Sequence, residues 1–142
     1  VTLFEAACHP DPVFRLAGVN RALEGLAIDV FTTMRDFATE MNDPVLHFCE
    51  DWMLADEVTH VKMGSTWLRE LTKDDKERQT KALEFQRTVD GLFNFRGMRG
   101  EGREAAIQLA RKFREMAGFQ SDEIDEIAAM AEEQRAQLAS AY

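Results

Sequence analysis

Glu24, Glu57 and His60 are the residues whose types and spacing suit metal chemistry. The stretch Glu57-Val58-Thr59-His60 sets a carboxylate and an imidazole three positions apart, on one face of an α-helix. The seam around them is largely apolar, and a charged pair there is costly unless something compensates it. A metal ion is the usual compensation, and carboxylate plus imidazole donors suit iron or manganese. A two-metal carboxylate site needs two Glu-x-x-His motifs, and the chain has one. It therefore reads as half of a site. The competing reading is a solvent-facing pair on a helix surface. The seam position, the matching level of Glu24 and the adjacent Asp56 favour metal.

Other groups cluster nearby. Asp56 reads equally as a hydrogen-bond acceptor for a ligand histidine across a bundle and as an exposed helical acid. Glu50 lies two turns before Glu57. It is an accessory ligand, a residue on the path of incoming iron or, most simply, the solvated end of the seam. Arg21, one turn before Glu24, either orients that carboxylate through a salt bridge or lies on the surface. Glu24 itself sits in Leu23-Glu24-Gly25-Leu26-Ala27-Ile28, apolar nearly all round, where a buried Glu needs a partner. His47 falls off the stripe and His9 lies in a proline-flanked turn, so neither is read as a ligand. Tyr142, the single tyrosine, is terminal, which argues against a tyrosyl radical. The glycine-rich Phe95-Arg96-Gly97-Met98-Arg99-Gly100 follows no strand and does not match a phosphate loop.

Two helices must position these groups. Asp11-Pro12 starts a long helix that runs to about Met41, and Asp43-Pro44 starts the next, to about Leu71. Asn42-Asp43 is the tight turn between them. Glu24 lies 18 residues before Asn42 and His60 lies 18 after it. With a rise of about 1.5 Å per residue, both reach the same level of an antiparallel hairpin. The first helix carries one apolar stripe through Phe14, Ala17, Ile28, Phe31 and Ala38. A second runs through Leu16, Val19, Leu23, Leu26, Val30, Met34 and Phe37, so the helix is packed on two sides, as in a bundle. The second helix has a stripe through Leu46, Glu50, Met53, Glu57, His60, Gly64, Trp67 and Leu71, and another through Leu54, Val58, Val61 and Leu68. Trp52, Trp67, the ten Phe and Cys49 are expected in the core.

The remaining elements follow from punctuation. Residues 2–8 predict a short helix ended by His9-Pro10, and 73–93 a more charged one. Gly91 through Gly102 reads as irregular. A helix from about Arg103 to Ala117 stops at Gly118, and Ser121 caps a last helix to about Ser140, expected as a peripheral tail. The expected organisation is 1–95 as hairpin plus third helix. Residues 96–142 follow as a C-terminal helical extension, in the same domain or peripheral to it.

Composition bounds the function. The chain has 142 residues and is 45% hydrophobic, enough for one domain with a core. It has no apolar run of membrane-spanning length and no secretory leader pattern. The start at Val1 rather than Met suggests a piece of a longer protein. Two cysteines form no disulfide framework or zinc spacing and fit a reducing, cytoplasmic setting. The net charge of −9 disfavours nucleic acid and anionic membranes. Arg96, Arg99 and Arg103 still offer a local basic patch, which keeps an RNA-modifying enzyme as a third option.

These residues carry a resemblance. Arg21-Ala22-Leu23-Glu24…Ile28-Asp29-Val30, then Asp56-Glu57-Val58-Thr59-His60-Val61…Gly64…Trp67, with Ala117-Gly118-Phe119 later, resemble the ferritin-like superfamily. More closely, they resemble the C-terminal half of an uncharacterised bacterial ferritin-like family, over most of residues 3–125. The resemblance implies an all-α, ferritin-like long-helix hairpin with extra C-terminal helices, its four-helix bundle completed by a dimer. It implies Glu24 as a terminal ligand, Glu57 as a bridging ligand and His60 as the histidine ligand of a di-iron centre, with manganese as the alternative metal. The expected chemistry uses O2 or peroxide, either to oxidise iron or to hydroxylate a small organic substrate. The departure is that the first helix pair, with the other Glu and Glu-x-x-His, is missing. Either the chain is a fragment or a homodimer assembles two half-sites. The reading from another class is a metal-free helical dimerisation module, or a truncated piece without activity.

Overall fold

A computed structural model of the chain describes residues 2–93 and 107–140. Every regular element among them is helical: α1 (Leu3–Ala7), α2 (Pro12–Arg15), α3 (Glu24–Glu40), α4 (Pro44–Thr72), α5 (Lys76–Phe93), α6 (Arg111–Met116) and α7 (Ser121–Ser140). The fold is all-α and built on the antiparallel hairpin of α3 and α4. Near the turn Arg35 reaches Asp51 (3.1 Å), and at the far end Asn20 packs against Gly64.

Local chemistry sets the hairpin's ends. The Asp11 carboxylate accepts the Val13 N–H at 2.9 Å, with Pro12 in the first turn. Asp43 accepts from Val45 and Leu46 at 3.1 and 3.0 Å, again ahead of a proline. Asn42 takes the left-handed backbone of the connecting turn (φ 53°), which Asn tolerates better than most residues. Gly118 does the same after α6 (φ 91°).

The sequence predicts one continuous α-helix from Pro12 to Met41. Instead, Leu16–Leu23 is π-helical and joins α2 to α3. The Glu24 N–H donates to the Val19 carbonyl, five residues back. Such turns are rare and recur at functional sites. This one ends at Glu24.

The C-terminal part differs most from expectation. Gly91 continues α5 to Phe93, while residues 94–106 lie outside the described residues. α6 begins at Arg111, because the backbone before it bonds elsewhere. The Ala110 N–H goes to Asp29 Oδ1 (2.8 Å) and the Gln108 N–H to Thr33 Oγ1 (3.1 Å). α7 opens at Ser121, and the carboxylate of Glu123 accepts the Gln120 N–H at 2.7 Å. α7 is no peripheral tail. Ile124 and Ile127 join Ile28, Leu54, Val61 and Phe119 in the largest core cluster.

α6 packs on one face of the hairpin, through contacts such as Ser65 with Ala117 and Arg114 with Asp29, and α7 packs on α5 and α6. On the other side, the outward surface of α4 is uncovered among the described residues. Trp52 and Trp67 are 66% and 53% exposed, and Phe4, Phe37 and Phe48 are exposed too. Cys49 is also exposed, so the expectation of a core residue fails for all six. Their hydrophobicity marks a surface to be buried, yet no element among the described residues covers them.

Gly64 is where α4 approaches the π segment. A Cβ there would stand 2.6 Å from Asn20 Cβ, the rigid root of that side chain. The glycine in the resembling motif thus has a packing reason. Gly64→Ala is expected to cost about 1–3 kcal/mol by overpacking. Urea unfolding measures this, and a variant as stable as the parent would contradict the close approach.

Candidate metal centre

Glu57 and His60 lie one turn apart at the middle of α4, facing the start of α3. His60 Nδ1 stands 3.7 Å from Glu57 Oε2, and His60 Nε2 stands 3.8 Å from Asp56 Oδ1. Both separations exceed a hydrogen bond. Glu57 Oε2 is buried with no hydrogen-bond partner. Asn20, on the π segment, donates from Nδ2 to Glu24 Oε2 at 2.9 Å and holds that carboxylate.

Electrostatics tie the three together. Burial first, and then the nearby Glu24 carboxylate, raise Glu57 above the usual carboxylate range, while His60 pulls the other way. Two acids crowded beside one imidazole form a place where a cation relieves both repulsion and the orphaned oxygen. The donor set suits iron or manganese in kind. It falls short in number: among the described residues, no group of three or more His, Cys, Asp or Glu side chains is placed to hold a metal ion.

Glu50 departs from its expected place at a solvated end. It is 7% exposed, burial raises its pKa, and its Oε2 has no partner. Asp56 is exposed and stands beside His60. Arg21 is neither a surface residue nor the partner of Glu24. It is buried, and its guanidinium bonds Gln86 (2.7 Å), Ser65 (2.5 Å) and Glu123. Asn20 does what the sequence suggested for Arg21, and an amide one turn before Glu24 was the available signal.

Arg21 belongs to a polar core beneath the hairpin. Arg114 bonds Asp29 through Nε (3.1 Å to each oxygen) and Nη2 (2.7 Å), and the pair is 1% and 0% exposed. The Arg21 and Arg114 guanidiniums lie 4.4 and 4.9 Å from the Phe119 ring centroid. Asp90 joins this core with Oδ2 unpartnered and its pKa pushed up to about 6 by burial, against the pull of Arg114, Gln86 and Arg21. Asp29 had a legible signal, an acid inside Ile28-Asp29-Val30-Phe31.

These features define an all-α protein with a carboxylate–imidazole cluster between two long antiparallel helices. The chain belongs to the family described as protein of unknown function (DUF455), whose model matches residues 2–125. No curated protein and no solved structure matches it. No helix among the described residues is long and apolar enough to cross a membrane.

Proposed function

We propose that this chain supplies half of a ferritin-like di-metal carboxylate centre, with iron as the metal and manganese as the alternative. The carrying observation is the buried, unpartnered Oε2 of Glu57, set beside Glu24 and His60. Glu24, Glu57 and His60 are the metal-holding residues in this reading. A bound pair of iron ions would supply electrons that reduce O2 or peroxide, with iron itself or a small organic molecule as the substrate oxidised. Asn20 keeps Glu24 aimed, as partners of ligand carboxylates do. Asp56 is in position to accept from His60 once the ring turns toward it. The exposed, free Cys8 and Cys49 suit a reducing cytoplasm.

The test is metal content on protein purified without a chelating tag. Changes around ligands already cost tenfold or more in metal affinity, so His60→Ala is expected to lower bound iron at least about tenfold. Wild-type protein that takes up neither iron nor manganese would sink the proposal. It would leave the second reading, a metal-free helical module, which the open apolar face favours.

A further inference from the structure

The open face of α4 carries six large exposed apolar residues: Val45, Phe48, Trp52, Met63, Trp67 and Leu71. Their spacing is nearly symmetric about a point between Thr59 and His60. Phe48 mirrors Leu71 and Trp52 mirrors Trp67, with Asp56 and Met63 nearest the centre. The half-buried residues where the π segment meets α3 have their own centre. Val19 mirrors Val30 and Leu23 mirrors Leu26, about Glu24 and Gly25. Glu24 and His60 lie equally far from Asn42, so both centres fall at one level of the hairpin. A two-fold axis there, across the helices, would set each residue against its mirror image on an antiparallel copy. Phe48 would then meet Leu71 of the copy and Trp52 would meet Trp67, with Met63 opposite Asp56.

We propose that this face docks a second copy of the chain, about a two-fold axis at the level of Glu24 and His60. The six α4 side chains alone expose roughly 700 Å² per copy, judged from the area such side chains bury. That exceeds the patch of an ordinary monomer and approaches the roughly 800 Å² per partner of a stable interface. A lipid surface is a poor occupant for a chain of net charge −9. The proposal deepens the metal reading and rests on it for one point, that the site is incomplete in one copy. Two copies of Glu24, Glu57 and His60 provide four glutamates and two histidines, the number a two-metal carboxylate bundle uses.

Sedimentation equilibrium on the full chain should give twice 16.2 kDa. W52E/W67E should self-associate at least about a hundredfold more weakly, since such aromatic anchors dominate interfaces. Its far-UV circular dichroism should not change, because both side chains already face solvent. T59C in a C8S/C49S background should form an interchain disulfide on mild oxidation. A monomeric wild type would overturn the proposal and assign the face to some other chain. A dimer that survives W52E/W67E, or a T59C variant that does not cross-link, would also overturn it. Metal measured on the same samples separates the two ideas. A metal-free dimer with these properties supports the docking surface and removes the metal reading. A metal-loaded monomer does the reverse.

Discussion

Arg114→Ala is expected to cost about 3–5 kcal/mol, roughly 10 °C or more in Tm. Asp29 is fully buried, and three of its contacts come from the Arg114 guanidinium. Removing the cation leaves a carboxylate in the core with, among the described residues, the Ala110 N–H as its remaining hydrogen-bond donor. The pair also fastens α6 to α3, so its loss should loosen α6 and, with it, the α7 packed against it. Asp29→Leu combined with Arg114→Leu should recover part of the loss, because a buried ion pair is weak in net terms while a broken one is expensive. Thermal melts of the two single variants and the double variant check this. A double variant as unstable as the sum of the singles would mean that the two charges do not act as a pair.

The second large effect concerns Asp90. Its folded pKa, about 6, lies above the ordinary 3.8. The folded state therefore holds the proton more tightly than the unfolded chain does. Stability falls as pH rises from about 3.8 to about 6, then levels off, with a total of about 3 kcal/mol. Arg21 and Arg114 pull this pKa down and Asp29 pushes it up, but desolvation is the largest influence. Glu50 and Glu57 are also raised and add to the fall with the same sign. Asp90→Asn should leave stability near pH 4 unchanged and raise it at pH 7.5. Urea midpoints across that range decide the matter. A variant less stable than the parent at pH 7.5 would show that Asp90 is there as a needed counter-charge to the two arginines.

The hairpin was legible because its signals are local. Asp11-Pro12, Asn42-Asp43-Pro44 and Gly118 each act within a few residues, and each caps or turns the backbone where the sequence suggests. The level match of Glu24 and His60 follows from counting residues along two helices. The C-terminal arrangement was not legible, because what places it is separated by 85 positions, from Asp29 to Arg114. No pattern along the chain records such a contact. The π segment was hidden for another reason: it alters hydrogen bonding without breaking the run of apolar residues. Trp52 and Trp67 illustrate a limit of hydrophobic pattern, which marks a side chain for burial without naming the surface that buries it.

Those two residues are the only tryptophans in the chain. They flank His60 at similar distances along α4, and both face solvent. Intrinsic fluorescence of this protein is therefore an optical reading of one face, with no background from the core. Its emission colour and its quenching by small solutes follow the wetting of that face, and a paramagnetic ion near His60 would darken both emitters at once.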